Sequence, residues 1–85
     1  MKRAKRYYVI FEDNQWKVKL EKGRVVSTHG SNRGQAIDRA QELGYKNRRP
    51  VMVNYKSGAT GAVYYSVEDL DKKLGYNSSG DVMRY

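Results

Sequence analysis

The chain contains no cysteine, which excludes disulfides and thiolate metal sites and suits a reducing compartment. Its one histidine, His29, excludes a metal cluster built on several imidazoles, and a catalytic role for it would need partners that the sequence does not place around it. No apolar run approaches the roughly 20 residues of a membrane-spanning helix. The basic start, Lys2-Arg3-Ala4-Lys5-Arg6, is not followed by a long apolar stretch, so no secretory signal is expected and the simplest setting is cytoplasmic. Gly30 and Gly34 are not followed by Gly-Lys-Ser/Thr, so they form no phosphate loop. The carboxylates Glu68, Asp69 and Asp71 bunch at the start of a short helix, where the helix dipole explains them without chemistry. The expectation is a protein that is not an enzyme and uses no cofactor or metal.

What the chain does have is positive charge, unevenly placed. Residues 1–49 hold 13 Lys/Arg against 5 Asp/Glu, whereas residues 50–85 hold 4 against 4, so all of the net +8 lies in the first part. Asymmetry of this kind within one small domain points to an anionic partner, with nucleic acid first among the candidates. Eighty-five residues allow one domain only, near the size at which a single core holds a fold without staples.

The pattern along the chain predicts an α+β fold. Residues 1–6 carry four cations and no core-forming side chain, and read as a basic disordered arm. Tyr7 to Phe11 is a strand by its aromatic and β-branched content, and Gln15 to Leu20 alternates apolar and polar residues. A two-residue turn at Asp13-Asn14 pairs Phe11 with Trp16, Val9 with Val18 and Tyr7 with Leu20, which puts all six on one face. Lys22-Gly23 turns the chain into a third strand, Arg24 to Thr28. Asn32 and Gln35 fit a capping box for a helix whose narrow stripe is Ala36, Ile37, Ala40 and Leu43, with Gly44 as its end and Tyr45 folding back. A strand follows over Pro50 to Lys56, with Val51, Val53 and Tyr55 on one side. A flexible turn at Ser57 to Gly61 leads to a partner strand, Ala62 to Tyr65. Ser66 and Asp69 form a second capping box, opening a short helix that ends at Gly75 by the same device as at Gly44. The expected organisation is an arm over 1–6, one compact domain over 7–76 and a loose tail over 77–85. Its architecture is an antiparallel sheet, ββ(β)-α-β(β), packed on one main helix, with a short second helix near the C-terminus.

The order Tyr8-Val9, Trp16-Lys17-Val18-Lys19, Asn32-Arg33-Gly34-Gln35-Ala36-Ile37, Ala40, Leu43, Val51-Met52-Val53 and Ser57-Gly58 resembles a small bacterial and archaeal family catalogued as domain of unknown function 2188. Members share a Tyr-x-Val strand, a Trp-x-Val-Lys strand, a capped helix with Glu-Ala in its first turn and a strand ending in Asp-Gly. Gln35 and Ser57 stand here in place of the usual Glu and Asp. The resemblance covers about residues 8–58 and implies a compact hairpin–helix–strand fold. It carries no catalytic residue to this chain.

Three groups of residues are candidates for binding. On the sheet face turned away from the helix, Tyr8, Ile10 and Glu12 lie beside Lys17 and Lys19, with Arg24, Val26 and Thr28 on the third strand. Lysines beside an aromatic on a sheet suit a nucleic-acid chain or unstacked bases, although solvated strand lysines would look the same. Lys5 and Arg6 of the arm and Lys46, Arg48 and Arg49 of the loop after the helix suit phosphates, which mobile cations neutralise without fixed geometry; simple solubility is the other reading. Arg33, at a helix N-terminus whose free N–H groups favour anions, could grip a phosphate, while capping alone explains Asn32. Tyr64 and Tyr65, on an edge strand, suit stacking, a protein partner or a homodimer.

The expected function is non-catalytic nucleic-acid binding through phosphate contacts at Lys5, Arg6, Lys17, Lys19, Arg33, Lys46, Arg48 and Arg49. The alternative is a protein-interaction module, an inhibitor or adaptor that docks on an acidic partner or dimerises through the 62–65 strand edge. No membrane partner is expected.

Overall fold

The computed structural model describes residues 5–75. Five strands form one sheet: β1 (Tyr7–Glu12), β2 (Gln15–Leu20), β3 (Val25–Thr28), β4 (Val51–Val53) and β5 (Val63–Tyr65), in the order β3-β2-β1-β4-β5. Helix α1 (Arg33–Asn47) and the short helix α2 (Val67–Leu70), which continues as a wider turn over Asp71–Gly75, complete the domain. The bulk of the expected arm and the tail lie outside the described residues.

The β1–β2 hairpin has the predicted register, with Phe11 opposite Trp16, Val9 opposite Val18 and Tyr7 opposite Leu20. Asp13 and Asn14 both adopt positive φ, 55° and 62°, as a two-residue turn matched to the twist of its strands requires. Alternation then sends Val9, Trp16 and Val18 inward, where they are buried with Val51, Val53, Ala36, Ala40 and Leu70. Each fully buried Val or Leu contributes about 1.5–3 kcal/mol of apolar burial.

The sheet is mostly antiparallel, with one exception to the expected pattern: β4 runs parallel to β1, Tyr7 opposite Val51 and Val9 opposite Val53. The cause is α1, which starts where β3 ends and travels back along the sheet. Its 15 residues cover about 22 Å at 1.5 Å each, so the chain re-enters the sheet at the end where β1 begins. The crossover needs close approach, and α1 presents Ala36, Ala40 and Gly44 to the sheet.

Gly44 does not end the helix as expected. The helix continues through Tyr45 to Asn47, and Arg48 takes the left-handed conformation (φ 56°) while the Arg49 amide donates to the Gly44 carbonyl at 2.8 Å. Position 44 excludes a side chain because a Cβ there would lie 2.6 Å from the Arg49 carbonyl oxygen, 2.8 Å from Leu70 and 2.9 Å from Val51. Tyr45 packs instead on Gly75; the residues after Gly75 that the same device would use lie outside the described residues. At Asn32 only half of the expected box forms: its side chain accepts from the Gln35 amide, but its own amide donates to the His29 carbonyl at 3.0 Å, whereas at Ser66 the reciprocal box with Asp69 is complete. That box holds the Asp69 carboxyl below its ordinary value through hydrogen bonds from the Ser66 backbone and then its hydroxyl.

Two further differences come from the strand ends. β4 stops at Val53, and Tyr55 is 52% exposed rather than in the core, because its carbonyl accepts the Gly58 amide in a turn. A bulge between Val18 and Lys19 shifts β3, so that Thr28 stands opposite Lys17 as expected while Val25, not Val26, stands opposite Lys19.

Candidate functional site

Both helical segments pack on one face of the sheet, α1 across β1 to β4 and α2 against α1 and β5. Among the described residues no helix covers the other face. The pairings define the row that crosses it. Val25 is opposite Lys19, Lys19 opposite Tyr8, Tyr8 opposite Met52 and Met52 opposite Tyr64. Same-face neighbours on adjacent strands touch or nearly touch, so these five side chains form a continuous ledge of about 19 Å. Tyr64 is 46% exposed on it. Tyr65 is opposite Val51 and packs partly buried against the core, so the two tyrosines point to opposite faces and only Tyr64 is presented.

The start of β1 organises the cations around this row. Arg6 is tied to the end of β2: its amide donates to Glu21 Oε1 at 2.9 Å and its carbonyl accepts the Glu21 amide at 2.8 Å. Its guanidinium sits 5.5 Å over the Tyr64 ring and 3.5 Å from the Tyr8 hydroxyl. Arg49 donates to the Lys5 carbonyl at 3.3 Å, which joins the segment before β4 to the segment before β1. Lys22, in the β2–β3 turn, lines with Lys19, Glu21, Tyr8, Ile10 and Asn54 a shallow hollow of about 290 Å³ on the uncovered face. Arg24 follows in the same turn. Lys5, Arg6, Lys19, Lys22, Arg24 and Arg49 thus lie at one end of the sheet, and of these Arg6, Lys19 and Lys22 adjoin the tyrosines. Among the described residues, Lys5, Lys19, Lys22 and Arg24 have no acidic side chain paired with them.

The other sequence-predicted cations do not join this group. Lys17 lies on the same face at the hairpin end, 3.2 Å from Asp13 and 3.5 Å from Glu12. The Asp13 hydrogen bond, with the charge of both carboxylates, raises its pKa against some desolvation. Arg33 is at the hairpin end on the helix side, its guanidinium 5.5 Å over Trp16. Arg48 bonds Asp71. Lys46 lines a groove of about 480 Å³ between α1 and the Asp71–Gly75 turn, with Arg39, Glu42, Leu43, Tyr45 and Leu74. Lys22 and Asn54 are site members that the sequence reading passed over, whereas Arg24 was placed on the face without being given a phosphate contact. A signal existed for Lys22, because a register that sets Tyr7 against Leu20 also sets the next turn beside Lys5 and Arg6.

His29, Asp69 and Asp71 each have a structural partner. The His29 amide donates to the Trp16 carbonyl and its Nε2 lies 2.6 Å from Ser27 Oγ, with no carboxylate bonded to the ring among the described residues. Asp69 and Asp71 serve the Ser66 cap and Arg48. No group of three or more His, Cys, Asp or Glu that could hold a metal occurs among the described residues, and no described helix is long and apolar enough to cross a membrane.

These features define a small α+β domain with helices on one face of a mixed sheet and a basic, tyrosine-bearing row on the other. The chain belongs to the family of uncharacterized proteins conserved in bacteria termed domain of unknown function 2188, whose model matches residues 7–62. The match takes in the ledge as far as Met52 and ends one residue before β5. No curated protein and no solved structure matches the chain.

Proposed function

We propose that this domain is a non-catalytic nucleic-acid-binding module that holds the phosphate backbone at the end of the sheet where β1 and β4 begin. The observation that carries the reading is the convergence there of Lys5, Arg6, Lys19, Lys22, Arg24 and Arg49 beside a sheet face that no described helix covers. Clustered lysines and arginines without acidic partners bind polyanions by releasing condensed counterions, and the gain depends on their number more than on fixed geometry. A cytoplasmic setting goes with this partner.

The test is fluorescence anisotropy of labelled oligonucleotides across a salt series. If about five phosphates are neutralised, the slope of log affinity against log salt is near −4, between the single-strand and duplex coefficients. An affinity that does not change with salt would overturn the proposal. An acidic protein partner would use the same cations, and is distinguished by an absence of binding to any oligonucleotide.

A further inference from the structure

From the row across the uncovered face we infer that the nucleic acid is single-stranded, with two bases laid on Tyr8 and Tyr64 while the surrounding cations hold its backbone. This deepens the proposed function and rests on it. Tyr8 and Tyr64 lie on the same face with one strand between them, about 10 Å apart by the spacing of strands. Met52 fills the floor between them, opposite both. The result is an apolar shelf with an aromatic ring at each side, rimmed by Lys19, Lys22 and Arg6, whose guanidinium lies over the Tyr64 ring.

Arg6 indicates how a base would enter. A guanidinium over the Tyr64 ring occupies the place that a stacked base takes on an aromatic platform, since both are flat π-systems drawn to a ring face. The side chain is long, and its anchor to the sheet is its backbone, through Glu21. When a base settles on Tyr64, the guanidinium is free to turn to the adjoining phosphate without losing that anchor. A duplex cannot use the shelf, because its bases are stacked on one another and it presents backbone and groove edges instead. Asn54 lies in the floor of the neighbouring hollow, with a buried Oδ1 that has no hydrogen-bond partner among the described residues.

The experiment compares three labelled ligands at one salt concentration: oligo(dT) of about 12 nucleotides, an abasic strand of the same length and a duplex of the same length. Wild-type protein is expected to bind oligo(dT) at least about tenfold more tightly than the abasic strand, since each stacked base contributes about 5- to 140-fold. Tyr64→Ala and Tyr64→Leu should remove much of that difference, whereas Tyr64→Phe should keep it. Arg6→Gln should weaken both single strands. Equal affinity of the wild type for oligo(dT) and the abasic strand would overturn the stacking row while leaving the phosphate reading intact, and so would preference for the duplex. Binding to none of the three would overturn both. Tyr64 is an exposed edge residue, and the Leu variant retains apolar bulk, so loss of folding does not stand in for loss of stacking; a urea melt of each variant verifies this.

Discussion

The two ends of the sheet are both rich in cations, yet they use them differently. At the hairpin end, each described cation is engaged by the protein: Lys17 by Asp13 and Glu12, Arg33 by the Trp16 ring, Lys56 by the Phe11 ring at 4.9 Å. Phe11 and Trp16 themselves pack at 5.2 Å. At the end where β1 and β4 begin, Lys5, Lys19, Lys22 and Arg24 have no acidic partner among the described residues, and Lys19 and Lys22 share a hollow with Tyr8. Charge is therefore structural at one end and available at the other. A count of lysines and arginines does not separate these uses; the neighbours do.

The sharpest way to break this comparison is at the hairpin end, where Trp16 underlies both Arg33 and Phe11. Trp16→Ala should cost about 3–5 kcal/mol, read in a urea melt, and that is most of the stability of a domain this small. If the loss were under about 1 kcal/mol, the hairpin end would not be the structural one. The two ends of α1 offer the next contrast. Gly44→Ala drives a Cβ into backbone and core and should destabilise by about 1–3 kcal/mol. At Gly34 the nearest atom to an added Cβ is Asn32 Oδ1 at 3.5 Å, so Gly34→Ala should be neutral or stabilise by up to about 1 kcal/mol.

Replacing single cations sharpens the contrast directly. Arg33→Ala should cost about 0.5–1 kcal/mol of stability through its ring contact and leave oligonucleotide affinity unchanged. The pair Lys19→Ala and Lys22→Ala should leave the melt within about 0.5 kcal/mol but make the salt slope shallower by about 1 to 2. The opposite result, binding lost with Arg33 and retained without the two lysines, would place the ligand at the wrong end.

The smallest effects are in pH. Asp69 has its folded pKa lowered from 3.8, with hydrogen bonds from Ser66 as the main cause. Its contribution is present above the unfolded value and is lost as pH falls through the folded one. Lys17 has its folded pKa raised from 10.5, chiefly by the Asp13 hydrogen bond. Its contribution is present below the unfolded value and is lost as pH rises through the folded one. Asp69→Asn should therefore flatten only the acid limb of a stability profile, and Asp13→Asn only the alkaline limb. Each change should be small, because both groups lie at the surface.

Much of the fold was legible locally. The hairpin register follows from alternation, because a slip of one residue would turn Val9, Trp16 and Val18 to solvent. The caps at Asn32 and Ser66 are equally local, since a side chain need only reach an amide two or three residues on. The role of Gly44 was not legible, because its cause is Arg49, Leu70 and Val51, and a glycine near a helix end resembles a C-cap whatever packs on it. The inward turn of Tyr65 was equally out of reach without its partner Val51. At the site, Lys19 was read beside Tyr8, where the hairpin register places it, whereas Arg6 was assigned to a disordered arm and its contacts with Glu21, Tyr8 and Tyr64 were not foreseen.

By itself the sequence determined the β1–β2 pairing, the small-residue stripe of α1, the two N-caps and the net charge of +8, all of which depend on side-chain period or on residues a few positions apart. Only the tertiary structure decided that β4 lies parallel to β1, that Gly44 is a packing contact and that the cations divide between two ends. The physical reason is the same in each case. Three residues of β4 do not encode a partner, and a cation's availability depends on which carboxylate or ring the fold brings within a few ångströms of it.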